Sequence, residues 1–274
     1  MKNFLAIALF AAIGFSMISC DDGSGDNQVH TCKFGNWTEK TAATCTKAAV
    51  EAKTCSCGKE ETQPSLTKLA FGHDWDWDNY TSGSGLRECQ RTECTDTAGI
   101  GDTGPAGGII FYATEFDFYT GTTAADNTTV KRNYLETWIS NETAATWGPS
   151  SFVVEDVRQV FDEDNPTKWI GYGRRNTKII VTALGSDTLN RAARLCDNAR
   201  HAEFDDWFLP SIDELNELHK IRGEHGIPNT GVYWSSSEFS TTANAGTRNF
   251  SNDNVHSSGI KAVSSFNVRA VRSF

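Results

Sequence analysis

Hydrophobic and polar positions divide the chain into three textures. Residues 4–18 form one apolar run behind Lys2. Residues 31–97 are polar, Thr-rich and poor in apolar runs, so they cannot bury much of a core by themselves. From about residue 98, short apolar runs alternate with turn residues, as a folded domain requires. Ile109, Ile110, Phe111 and Tyr112 follow GDTGPAGG and predict a buried strand. The two Gly-x-y triplets before them are too few for a collagen helix and predict a tight turn. Residues 115–168 are rich in Asp, Thr and Asn and predict long loops, with DEDNP at 162–166 as a solvated turn.

Two helices are expected next. Leu189, Ala192, Ala193, Cys196 and Ala199 recur at helical spacing behind Ser186 or Asp187 as a cap. In DDWFLPSIDELNEL, Ser211 and Glu214 have the spacing of a capping box, and Asp213 and Glu214 suit the positive end of a helix dipole. Ile212, Leu215 and Leu218 then form one apolar stripe, and Gly223 stands where the helix should stop. Asp205, Asp206 and Glu217 therefore serve folding rather than acid-base chemistry, and Trp207, Phe208 and Leu209 predict a short buried strand. The stretches GVYWSSSEF, TRNFSNDN and SSGIKAVSSFNVRAVRSF predict three or four strands in an antiparallel meander. The fold class is α+β.

The apolar run is too short to span a bilayer comfortably and predicts a secretory signal over residues 1–20. Its end, MISC, resembles the lipobox of bacterial lipoproteins, which implies lipid attachment at Cys20 and a flexible tether over 21–30. The whole chain has 25 basic and 35 acidic residues and a net charge of -10, and losing the signal removes only one further cation. Such a surface repels phosphate backbones, so nucleic acid is excluded as a partner. The expected localisation is the cell envelope, at the outer membrane or cell surface.

Of the eight cysteines, Cys32, Cys45, Cys55, Cys57, Cys89 and Cys94 lie within residues 31–97, a Cys-rich segment with a weak repeat pairing Trp37 with Cys55 and Trp77 with Cys94. In an exported segment this composition favours disulfides. The alternative is a structural zinc site on Cys45, Cys55, Cys57 and His73. HDWDWDNY, from residue 73 on, lacks the pattern of a calcium loop and reads as a linker whose indoles pack on a neighbour.

The blocks DWFLPSIDEL, YWSSSE, a strand ending in NF, Lys261 and VRAVR, in that order, resemble the C-terminal domain family first described on a Legionella collagen-like protein. They are also similar to the major-domain family of Fibrobacter surface proteins and to spirochaete lipoproteins carrying IGDTGPAGGIIFY. The resemblance covers residues 100–274 and implies a C-type-lectin-like domain over 98–274, with helices on a twisted antiparallel sheet and long ligand-competent loops. Many relatives carry Cys where this chain has Ala270, so the resemblance implies no disulfide from Cys196 to the last strand.

It further implies a binding or adhesion module for a glycan or a host or envelope protein. Tyr233 and Trp234 are the candidates for stacking on sugars, and Glu238, Asn252 and Asp253 for hydrogen bonding. No catalytic residue and no cofactor other than the possible zinc is expected. The alternatives are a structural envelope lipoprotein, or an enzyme using Cys196, His201 and Glu203 or Asp206. The wider fold includes formylglycine-generating enzymes, which need a reactive Cys pair; this domain has one Cys.

Overall fold

The structure is a computed structural model that describes residues 19–20, 30–31, 33–70, 72–77, 86–92, 94–123, 130–138, 143–150, 152–157, 159, 162–187, 189–239, 243–254, 257–263 and 265–274. Most of the expected signal and tether lies outside the described residues, as does Cys32. Of them only β1 (Ser19–Cys20), paired antiparallel with β2 (His30–Thr31), is described. Contacts group the chain into two units, residues 1–74 with 91–94 and residues 75–90 with 95–274. Among the described residues no helix is long and apolar enough to cross a membrane.

In the first unit, β3 (Thr38–Thr41), β4 (Val50–Thr54) and β5 (Glu60–Pro64) form an antiparallel sheet in sequence order. Thr, Glu and Lys dominate these strands, and their buried apolar contribution is slight: Ala52 in β4, with Cys45, Ala49 and Cys55 beside the strands. Ser65 caps the end of β5, donating to Glu51 at 2.8 Å and accepting the N–H of Lys68 at 3.1 Å. A sheet with so small an apolar face needs an additional constraint to be stable.

The second unit is α+β, with mostly antiparallel sheets and few helices. Strands β6 (Ile109–Thr120) and β7 (Val130–Thr137) are followed by β8 (Thr143–Ala145), α1 (Tyr172–Leu184), α2 (Ala192–Asp197) and α3 (Ile212–Lys220). The chain ends with β9 (Val232–Glu238), β10 (Asn244–Asn249), β11 (Ser257–Ile260), β12 (Phe266–Val268) and β13 (Val271–Ser273). One sheet has the order β13-β7-β6 and the other β11-β10-β9-β12-β8. The meander is thus real for β9, β10 and β11, whereas β12 runs parallel to β9 and β13 crosses to the first sheet.

The region expected as loops contains the end of β6, all of β7 and β8. Phe116 and Phe118 alternate with acids in β6, and β7 buries Tyr134 and Leu135, so pairing outweighs the polar composition. The Ala/Cys helix is shorter than its periodicity predicts. Asp187 accepts the Leu189 N–H at 2.9 Å and pairs with Arg191, closing a turn before α2 begins, and Leu189 is exposed.

Helix α3 starts as expected. Ser211 accepts the Glu214 N–H at 3.3 Å and Glu214 accepts the Ser211 N–H at 2.7 Å. Phe208 pairs with Val271 through two backbone hydrogen bonds of 2.9 Å, and Trp207, Phe208 and Leu209 are buried. Trp77 packs edge-on to Tyr134 and Phe274, at 5.6 and 5.0 Å between centroids, as its place in the indole-bearing linker requires.

GDTGPAGG wraps a carboxylate. Glu136 is fully buried in β7 and accepts the N–H of Ala106 at 3.2 Å and of Gly108 at 3.1 Å, with Arg272 donating at 2.9 Å. Burial pushes its pKa up despite these donors. α1 needs glycine at its start: Gly171 has φ +87°, and a Cβ there would lie 1.8 Å from the Tyr119 carbonyl oxygen.

Candidate functional site

In the first unit, Cys45, His73 and Cys94 converge, their ligand atoms lying within 4.8 Å of one another. The backbone builds this meeting. Gly72 donates its N–H to Cys45 O at 2.9 Å, which sets His73 beside Cys45, and Arg91 Nε donates to Gly72 O at 3.1 Å, which brings the turn carrying Cys94 to the same place. Cys94 Sγ lies 3.6 Å from His73 Nδ1.

The expected metal set is therefore corrected: Cys45 and His73 belong to it, while Cys55 and Cys57 do not. Those two occupy the β4–β5 turn, where Gly58 donates to Cys55 O at 2.8 Å, so their closeness in sequence reflects a turn. None of the cysteines 45, 55, 57, 89, 94 and 196 is in a disulfide. Cys20, the expected lipid-attachment residue, pairs with His30 in the β1–β2 register.

The expected ligand-binding aromatics are also corrected. Tyr233, Trp234 and Glu238 are 0 % exposed. β9 is the middle strand of its sheet and packs against α1, α3 and the 3-10 turn Glu155–Val157, so both of its faces are covered. Trp234 Nε1 donates to Ala145 O at 2.8 Å, Tyr233 packs on Phe250, and Glu238 accepts from the buried Lys261.

Asn252 and Asp253 remain exposed on the turn after β10, held to α3: Asn252 O accepts from His219 Nε2 at 2.8 Å and Asp253 from Arg222 at 2.7 Å. His219 is pushed down to about 4 by burial and by the Arg248 and Arg222 guanidinium groups. It is neutral, with Nδ1 accepting from Arg248 at 2.9 Å.

The groups weighed for enzyme chemistry are occupied separately. Cys196 lies in a core cluster with Trp147, Ile180 and Leu209, and burial pushes its thiol up, away from the thiolate a nucleophile needs. His201 stacks on Trp138 at 3.7 Å. Asp206 receives Arg272 Nε at 2.5 Å. Glu203 sits at φ +70° in a turn before Phe204.

What remains open is a polar cleft of about 250 Å³ between α1 and the segment after α2, lined among others by Arg174, Lys178, Asn198, Arg200, Asp205 and Trp207. Lys178 is paired with Asp197 at 2.5 Å and Arg200 approaches Asp205 at 4.0 Å. Arg174 takes part in neither of these ion pairs. Sequence reasoning gave Asp205 and Trp207 to folding alone and did not single out Lys178, Asn198 or Arg200, because it did not recognise α1, which places Arg174 and Lys178 one turn apart on the same face. A wider groove of about 730 Å³ runs along α1 past Val153, Arg175, Ile179 and Thr182.

No family model, curated protein or solved structure matches this chain.

Its chemistry is accordingly read from its own geometry. The cleft offers guanidinium and carboxylate groups and amide donors on rigid elements, which can hold a polar ligand. It presents no thiol or imidazole among its lining residues to attack one.

Proposed function

We propose that this protein is a lipid-anchored cell-envelope binding protein whose second unit is a C-type-lectin-like module for a glycan. The observation that carries the reading is the polar cleft beside α1, where Arg174 stands outside the Lys178–Asp197 and Arg200–Asp205 pairs. A volume of about 250 Å³ lies just under the range of about 300–1,000 Å³ usual for small-ligand sites, and suits one sugar unit at a chain end. Guanidinium and amide donors beside carboxylate acceptors match the hydroxyl groups of a sugar, and the Arg174 guanidinium favours one that also carries a carboxylate. The order of blocks, which resembles that of bacterial surface families, and the lipobox-like MISC support placement on the envelope.

The test is binding of the detergent-solubilised full chain to an array of neutral and uronic- or sialic-acid-terminated glycans and matrix proteins. Binding to acidic glycans that R174A weakens at least about tenfold, with a substitution at exposed Leu189 neutral, supports the reading. Binding to no glycan, or binding that R174A leaves unchanged, overturns it. Replacement of Cys20 by Ser should abolish lipid labelling and membrane partitioning.

A further inference from the structure

We propose that Cys45, His73, Cys89 and Cys94 bind a single structural zinc ion, and that this ion is the constraint the Cys-rich unit requires. The proposal is independent of glycan binding.

Three of the four ligands come from the first unit and already stand close to coordination geometry. With Zn–S of about 2.3 Å and Zn–N of about 2.0–2.1 Å, a tetrahedral site has an N···S edge of roughly 3.6 Å. The Cys94 Sγ to His73 Nδ1 separation is 3.6 Å. Cys45 Sγ lies within 4.8 Å of both, so a shift of about an ångström closes the site.

The fourth ligand follows from chain connectivity. Cys89 pairs with Trp75 in an antiparallel bridge and donates its N–H to Asp96 O at 3.0 Å. Trp75 lies two residues after His73, and Asp96 two residues after Cys94. Two residues span at most about 7 Å, so Cys89 is tied twice to the segments that supply the other ligands. Among the described residues Cys55 and Cys57 have no such ties, since they belong to the β4–β5 turn.

Stoichiometry separates zinc from a disulfide. Three thiols and one imidazole leave one thiol over if two are oxidised, and the imidazole has no part in the bond. A tetrahedral zinc uses all four groups, the three thiols releasing their protons to solvent as the ion binds. The unit around them buries little more than Cys45, Ala49, Ala52 and Cys55, so the ion would supply much of its folding free energy.

The experiment is metal analysis of the full chain purified in detergent with thiols kept reduced, then replacement of the metal by cobalt(II) and recording of its visible and near-ultraviolet spectrum. About one zinc per chain is expected, with a cobalt spectrum of tetrahedral type whose charge-transfer intensity reports three thiolates. C94S should abolish binding and C89S weaken it at least about tenfold, while C89H retains it and C57S changes nothing. Because the thiolate count is read on the unsubstituted chain, a variant that fails to fold does not decide the matter. Absence of metal and of the cobalt spectrum overturns the proposal. So does a native disulfide at Cys45, Cys89 or Cys94 by peptide mapping, or loss of the metal in C57S. Unchanged affinity in C89S overturns the assignment of the fourth ligand.

Discussion

Replacing Lys261 by Met should be among the most damaging single changes in the second unit. Lys261 and Glu238 are both 0 % exposed and form an ion pair between the loop after β11 and the end of β9. Lys261 Nζ also donates to Phe152 O at 2.7 Å and lies 4.7 Å from the centre of the Trp147 ring. Glu238 additionally accepts the Val154 N–H at 3.2 Å. Removing the cation leaves a buried carboxylate whose desolvation is no longer offset, at a cost of about 3–5 kcal/mol. The lost hydrogen bond and cation–π contact are part of that figure, not an addition to it. With a urea m-value of about 2–3 kcal/mol/M, the midpoint for this unit should fall by roughly 1–2 M.

The double variant E238M/K261M removes both charges and keeps apolar volume. It should recover most of the loss, since a well-packed apolar pair often matches a buried ion pair. The assay is urea unfolding followed by tryptophan fluorescence, to which the buried Trp147 and Trp234 contribute. A K261M loss below about 1 kcal/mol, or a double variant no more stable than K261M, would refute the assignment of the pair as a buried, mutually compensating contact.

Three further outcomes can be measured on the same unit. Burial pushes Asp213 from 3.8 up to about 7 and Glu214 from 4.5 up to about 7, so their stabilising contribution is complete below about pH 4 and is lost as pH rises through 7. His219, lowered from 6.5 to about 4, acts oppositely, its contribution being lost as pH falls from 6.5 toward 4; thermal scans of D213N/E214Q should therefore show stability rising with pH across that window, and a profile like that of the unsubstituted chain would contradict this. Cys196 should resist maleimide in the native state and react only on unfolding, because the residue is 1 % exposed; fast native modification would reopen nucleophilic chemistry. G171A should cost several kcal/mol, since its Cβ would meet Tyr119 O at 1.8 Å, whereas G185A, at φ +50° with open space around it, should cost about 1 kcal/mol; equal losses would show that the α1 start is not confined as described.

Local signals were legible in the sequence and long-range convergence was not. The start of α3 could be read because a capping box is complete within four residues, Ser211 to Glu214. α1 was invisible for the opposite reason. Its buried face is Gly173, Asn176, Thr177, Ile180 and Leu184, and two polar residues in that stripe hide the helical period, while the run Ile179, Ile180, Val181 and Thr182 favours a strand. Only its packing against other elements reveals why Asn176 is there: it donates to Gln159 at 2.7 Å, buried beside β9. Tyr233, Trp234 and Glu238 suit a ligand by residue type until β9 is found to be buried on both faces. Of the metal candidates, Cys45 and His73 could be chosen by residue type, but their approach to Cys94 depends on two backbone contacts of Gly72 that no spacing rule contains.

The buried carboxylates of the second unit share one physical role, which explains how so polar a chain holds long irregular segments in place. Glu136 takes the N–H groups of Ala106 and Gly108, Glu214 those of Gly171 and Ser211, and Glu238 that of Val154. In each case an acid on a regular element accepts from the backbone of a segment that has no strand partner of its own, satisfying donors that would otherwise be buried unpaired. Two of the three are further compensated by a buried cation, Arg272 for Glu136 and Lys261 for Glu238. Glu214 has backbone donors alone, the Gly173 N–H at 3.4 Å being the longest of them, and burial raises it to about 7. The acids that look like reactive groups along the sequence therefore act as internal anchors for loops. Fixing the start of α1 through Glu214 also fixes Arg174, one residue beyond Gly173, at the edge of the polar cleft. The position of Arg174 at the cleft is thus set from inside the core.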